Sequence, residues 1–194
     1  MKKIVSVLCV FSLLFSLTTV FAVSEEEKEY TSEGGYFYLN GFGETIYTGP
    51  DGSKFEYYLN EDKNTVSLYY MTTPSGNVTV PSSINGVTVT FIGGNDGNTS
   101  KLVSLELPDT VEVLDEKAFF KCMYLTEVKL PESIRRIEKW VFHGCARLQV
   151  LEIRHDPEYI GEWIINKAAR IRCYRGSKVD AYCQESGFTV EYIE

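Results

Sequence analysis

From Leu102 to Arg170 the apolar residues recur with a period of 23. Consecutive blocks read LVSLELPDTVEVLDEKAFFKCMY, LTEVKLPESIRRIEKWVFHGCAR and LQVLEIRHDPEYIGEWIINKAAR, with no gap between them and a fourth start at Ile171. Seven columns are apolar in every block. They are Leu102/Leu125/Leu148, Leu105/Val128/Leu151, Leu107/Leu130/Ile153, Val111/Ile134/Pro157, Leu114/Ile137/Ile160, Ala118/Val141/Ile164 and Phe119/Phe142/Ile165. Only 44% of the chain is hydrophobic, so columns this complete mark an internal repeat rather than composition. Pro108 aligns with Pro131, and Cys122 with Cys145 and Ala168.

Each block predicts the same local structure. Leu105-x-Leu107 alternates as a strand does, with leucines inward and Glu106 outward. Pro108 ends that strand, because it has no N–H to give to a ladder. Val111 to Leu114 is a second short extended piece, and Glu116 to Cys122 a tight helical turn that places Ala118 and Phe119 inside. One such coil cannot bury its own apolar residues. Neighbours stacked about 4.8 Å apart bury them together, which predicts a solenoid.

Leu125-Thr126-Glu127-Val128-Lys129-Leu130-Pro131-Glu132-Ser133-Ile134 and Phe142-His143-Gly144-Cys145 closely resemble the BspA-type leucine-rich repeat, with its pattern LTxVxLPxSIxxIxxxAFxGC. The third block departs from that pattern at Arg154, in place of the strand-ending proline, and at Ala168, in place of the cysteine. An end coil shows such drift. The segment Val78 to Val89 looks like the family's first coil, with Gly94 to Asn98 replacing the usual turn by a loop. The resemblance implies a β-rich leucine-rich-repeat solenoid, a right-handed β/α-type superhelix of short parallel strands over residues 77–170. Residues 171–194 form a C-terminal cap. In it Ser177-Lys178-Val179-Asp180 starts a helix, Val179, Tyr182 and Cys183 share one face, Gly187 ends it, and Phe188 to Ile193 is a last strand.

Before the repeats the pattern changes. Lys2 and Lys3 precede an uncharged run from Ile4, and Val20-Phe21-Ala22 offers small residues at a cleavage site, so residues 1–22 read as a signal peptide. The run is short for a membrane span and contains several Ser and Thr, and no other stretch could span a membrane once it is removed. Residues 23–35 are an acidic linker. Residues 36–76 are aromatic and β-prone, with turns at Gly49-Pro50-Asp51-Gly52 and around Asn60–Asn64. They predict an N-terminal β cap with strands at 45–48, 55–59 and 66–70. The aromatics there, Phe55, Tyr57, Tyr69 and Tyr70 among them, read as core or cap in preference to a ligand platform.

Charge and chemistry narrow the function. The formal charge of the 194-residue chain is −8 and becomes −10 without the signal, which disfavours nucleic acid and anionic lipid. Cys122, Cys145, Cys173 and Cys183 match no zinc spacing, and no metal or other cofactor is implied. Cys122 and Cys145, on neighbouring coils, read as buried free thiols. Cys173 and Cys183, on the last strand and the covering helix, are the better oriented pair for a disulfide. His143 lies two residues before Cys145, but that cysteine occupies a small, buried column. Neither His143 nor His155 has a convergent set of partners, and phosphate loops, HExxH and GxSxG are absent. The chain therefore reads as non-enzymatic. Trp140 and Trp163 share a column and read as packing between coils rather than a sugar platform.

Three outward columns alternate in sign: Glu106/Lys129/Glu152, Glu112/Arg135/Glu158 and Glu116/Lys139/Glu162. They read as ion pairs between coils that fix register, each contributing roughly 0.2–1 kcal/mol. By resemblance the family implies surface attachment, and therefore an exported or cell-surface module with a protein or glycoprotein ligand. The face it would use is the strand face, with Ser104, Glu106, Glu127, Lys129, Val150 and Glu152. Four or five strands expose only ~300–400 Å² there, against about 800 Å² per partner in a standard interface. A structural spacer without a ligand is the alternative.

Overall fold

The computed structural model describes residues 28–31, 34–39, 44–61, 63–73, 75–94 and 101–194. The signal-like residues 1–22 and the loop residues 95–98 lie outside them. The chain begins with a meander of β1 (Glu29–Tyr30), β2 (Tyr36–Leu39), β3 (Thr45–Thr48), β4 (Lys54–Asn60) and β5 (Thr65–Thr72), each antiparallel to the next. Three of these strands match the expected meander. β1 falls inside the stretch read as linker, and pairs Tyr30 with Tyr36.

The coils follow. β6 (Asn77–Thr79), β7 (Ser83–Ile84) and β8 (Val87–Ile92) make the first; β9 (Ser104–Glu106) and β10 (Val113–Leu114) the second. β11 (Glu127–Lys129) and β12 (Arg136–Ile137) make the third, and β13 (Val150–Glu152) and β14 (Tyr159–Ile160) the fourth. The chain closes with β15 (Arg170–Cys173), α1 (Lys178–Ser186) and β16 (Thr189–Tyr192). First strands stack in parallel as β6-β9 and β11-β13-β15-β16, while second strands join the meander in one sheet ordered β1-β2-β3-β4-β5-β8-β10-β12-β14, with β7 beside β8. The fold is a β-solenoid with little helix, and its N-terminal cap is part of the solenoid's own sheet.

The apolar columns form one core. Leu102, Leu114, Phe119, Leu125, Ile137, Phe142, Leu151, Ile164, Ile165 and Ile171 are fully buried, and Phe119 stacks on Phe142 with ring centroids 5.2 Å apart and planes within 7°. The segment from Glu116 to Cys122 is a tight turn with Ala118 and Phe119 inside, yet its amides do not bond four residues back as a helix would. They alternate: Ala118 and Phe120 N–H donate three residues back, to Asp115 and Lys117 at 3.1 Å each. Phe119 donates instead to the Val141 carbonyl of the next coil at 2.9 Å, Lys121 to His143 at 3.0 Å and, one coil on, Phe142 to Ile164 at 2.8 Å. This geometry uses left-handed residues at fixed columns, Lys117/Trp140/Trp163 and Lys121/Gly144.

Two expectations about the third 23-residue block change. β13 and β15 pair Leu151 with Ile171, whereas β11 and β13 pair Val128 with Leu151. The step is therefore 20 residues rather than 23, and Ile171 belongs to the column of Leu105, Val128 and Leu151, not to that of Leu148. The block also buries Ala169 instead of Ala168, which is exposed. The lost residues come from the turn after Asn166. The Asn166 side chain replaces them, accepting from the Gly144 N–H at 2.9 Å and donating to the Cys145 carbonyl at 3.3 Å.

The C-terminal cap forms as its sequence predicts. Ser177 caps α1 by accepting from the Asp180 N–H, and Gly187 ends it in the left-handed conformation. Val179, Cys183 and the half-buried Tyr182 face the core, and the Tyr182 hydroxyl donates to the Gly161 carbonyl at 2.9 Å.

The left-handed column yields a stability prediction. Lys121 adopts φ 59° where the equivalent Gly144 has φ 81°, and an L side chain there costs about 1 kcal/mol. Lys121→Gly is expected to raise stability by roughly 0.5–1 kcal/mol. Gly144→Ala is expected to lower it by more than that, because its Cβ would also lie 2.8 Å from Lys121 Cγ. Thermal denaturation of the two variants checks both signs.

Candidate interaction face

The strand face consists of two outward rows. Strand register aligns Asn77 with Ser104 and Thr79 with Glu106. It also aligns Glu127 with Val150, Arg170 and Thr189, and Lys129 with Glu152, Arg172 and Glu191. Ser104, Glu106, Glu127 and Lys129 are exposed, as the alternation predicts. Val150 and Glu152 are not: they retain only 6% and 5% of their accessible surface. The six residues proposed from sequence therefore divide into an open N-terminal part and a closed C-terminal part.

The closed part is an ion network. The Arg172 guanidinium lies 3.1 Å from Glu127, 3.0 Å from Glu152 and 2.7 Å from Glu191. Arg154 pairs with Glu152 at 2.6 Å and Arg170 with Glu191 at 3.2 Å. Three carboxylates thus meet three guanidinium groups. Burial alone would raise the Glu152 carboxyl, but hydrogen bonds from Arg154 and Arg172 outweigh it and hold the group below its ordinary range. The same bonds, with those to Glu191 and Glu127, push the Arg172 guanidinium further up. The 20-residue step creates this network, since it brings Arg172 into register with Glu152. A comparison of Ile171-x-Cys173 with Leu151-x-Ile153 carries that signal in the sequence; the ungapped 23-residue frame hides it.

The charge columns are realised in part. Arg135 pairs with Glu158, and Lys139 with Glu116 at 3.2 Å. Glu152 pairs with arginines instead of Lys129, and Glu106 accepts from the Thr79 hydroxyl at 3.0 Å. The two tryptophans share a column without stacking on each other. Lys117 and Lys139 lie over the Trp140 ring, while Trp163 meets the edge of His143 and lies under Lys167.

The residues weighed for catalysis do not converge. The Cys145 thiol donates to the Phe119 carbonyl at 3.2 Å, and its contact with Cys122, together with burial, pushes it far up. His143 stacks on Phe120, and His155 Nε2 is bonded to the Ile134 carbonyl at 2.6 Å. Among the described residues no group of His, Cys, Asp or Glu could hold a metal ion, and no helix is long and apolar enough to cross a membrane. All four cysteines in the described residues are buried and none is in a disulfide. Cys173 and Cys183 touch, and burial, then the charges of Cys173 and Asp180, push the Cys183 thiol up to about 12.

Stacked parallel coils around a leucine-rich core, open on one strand face, define a leucine-rich-repeat solenoid. Six copies of the BspA type leucine rich repeat region match residues 90–178, and this repeat region belongs to that family. Among solved structures, the chain is similar to a leucine-rich repeat protein of T. pallidum. That match has 23% identity over 61% of this chain and 68% of the other, with a TM-score of 0.47. It is also similar to a leucine-rich cell surface protein from Faecalibacterium prausnitzii A2-165, with 16% identity over 76% of this chain and 41% of the other and a TM-score of 0.37. No curated protein matches the chain.

The network gives the protein an acid-sensitive element. Because the folded Glu152 carboxyl lies below its ordinary value of 4.5, its contribution is present above that pH and is lost as pH falls through the folded value. Glu152→Gln is expected to cost roughly 1–3 kcal/mol near neutral pH. The difference from the parent should close as pH drops below 4.5. Urea denaturation at a series of pH values measures it.

Proposed function

We propose that this chain is an exported or cell-surface leucine-rich-repeat protein that acts as an adhesion-type module, binding a protein or glycoprotein through the open part of its strand face. The carrying observation is that Ser104, Glu106, Glu127 and Lys129 all face solvent on stacked strands. Lys129 makes no ion pair among the described residues. The signal-like N-terminus supports export, and the repeat family supports an interaction role. Catalysis has no part in this reading: among the described residues His143 stacks on Phe120, and His155 is bonded to a backbone carbonyl. The closed network at β13, β15 and β16 favours a second reading, a structural spacer, over that part of the face: its charges are already satisfied from within.

Binding of residues 23–194 to immobilised matrix proteins and mucin tests the proposal. Saturable binding is expected, weakened at least about tenfold by Glu106→Lys with Lys129→Glu, which reverses two exposed charges that form none of the network's ion pairs. Saturable binding that ignores the reversal would move recognition off this face, and absence of binding would leave the spacer reading.

Export also bears on the last cysteine pair. An oxidising compartment would join Cys173 to Cys183, with two thiols reducing an external disulfide and releasing two small thiols. Protein secreted by its own host should then show two titratable thiols after denaturation, rather than the four that the free state predicts. A count of four would place the folded chain in a reducing environment or leave this pair unoxidised.

A further inference from the structure

On the opposite face of the solenoid, where the meander meets the second-strand column, the surface holds a groove of about 500 Å³ lined by Asn60, Thr65, Tyr69, Phe91 and Glu112, among others. Its construction begins with a β-bulge. β5 and β8 pair Val66 with Val89 but Ser67 with Phe91, so Thr90 is the extra residue. Two consecutive side chains, Thr90 and Phe91, therefore stay half exposed between the buried Val89 and Ile92. Bulges re-aim side chains in this way.

The aromatic rings form a set. Tyr69 lies 5.7 Å from Phe91 and meets Tyr58 edge to face at 5.4 Å. Tyr58 is 53% exposed, and its hydroxyl is held by the Glu56 carboxylate. Tyr69 is seated on Gly93, where a Cβ would fall 2.1 Å from its ring. Polar groups border the rings: the Asn60 amide holds the Thr65 and Ser67 hydroxyls at 3.2 and 3.0 Å, and Lys63 and Glu112 supply one charge of each sign. The row then continues in register from Phe91 through Val113 and Arg136 to Tyr159. There the Arg136 guanidinium covers a ring that is 42% exposed. Three strand steps span about 14 Å.

We propose that this face binds a neutral glycan chain. The strands β5, β8 and β10 are interior members of their sheet, so their backbone has no free edge to offer an extended peptide. Recognition has to come from side chains. Aromatic faces beside hydroxyl and amide groups suit the apolar ring faces and hydroxyl rims of sugars. The balanced Lys63 and Glu112, on a chain of net charge −8, select against polyanions. This site is separate from the strand face and does not rest on the proposal made for it.

Affinity electrophoresis of residues 23–194 in gels containing a soluble mannan, a β-glucan or an arabinoxylan tests the inference. At least one polysaccharide should retard the protein. Phe91→Thr and Tyr58→Ala should each weaken retardation about tenfold or more. Gly93→Ala should do the same by displacing the Tyr69 ring, while Glu185→Gln, on the exposed side of α1, should leave it unchanged. Circular dichroism and the melting temperature confirm that each variant is folded. The inference is overturned if no polysaccharide retards the folded parent, or if retardation survives the folded Phe91 and Tyr58 variants. Phe91-dependent binding of a proline-rich peptide without glycan binding would overturn it as well.

Discussion

A coil of this protein has no core of its own, and its two strands each leave a row of backbone donors and acceptors open on both sides. Everything else in the structure is arranged around that deficiency. Between coils the solution is repetition: each turn donates its amides to the turn beyond it, and the leucine columns close face to face. At the ends repetition fails, and different devices are needed. The meander extends the second-strand sheet at one end, its last strand lying parallel to the first coil. At the other end β16 adds a parallel strand, and α1 lays Val179 and Cys183 over the exposed columns.

The two ends also explain where chemistry gathers. Away from them, outward side chains repeat, and a repeated surface offers the same modest contacts at every coil. Where the meander joins the stack, two strand systems with different registers meet and a residue must be accommodated. The bulge at Thr90 does this, and it turns Phe91 toward Tyr69. Where the last coil shortens, an arginine slides opposite a glutamate and a buried ion network appears. Both features are consequences of mismatched register rather than of the repeat itself.

This difference sets what could be read in the sequence. The coils, both inward strand positions, the proline corners, the meander strands and the capped helix follow from period and turn chemistry, which act locally. The outward placement of Ser104, Glu106, Glu127 and Lys129 follows from alternation. Glu152 does not, because its burial depends on a pairing offset by three residues from the frame that every other column obeys. Tyr69 likewise reads as a capping aromatic. Only the parallel pairing of β5 with β8, a contact between segments about twenty residues apart with β6 and β7 between them, shows that its ring faces outward. The tryptophan column was legible as a column, but its left-handed backbone was not, since Trp is an unusual residue for that conformation.

The register of the middle coils has a consequence for how such a chain can change length. Between β11 and β13 the step is a full 23 residues, and a copy of residues 125–147 inserted there would set a second Glu127 beside Glu152 and Arg172, where the first one stands now. A duplicated unit placed there would find the same corners, the same left-handed turns and the same leucine layers above and below. It would lengthen each strand column by one rung of about 4.8 Å. The aromatic groove and the arginine network would move apart without either being rebuilt. The architecture is thus modular in its middle and fixed at its ends, so the reach of the molecule can be altered by gene duplication while the two specialised surfaces are inherited intact.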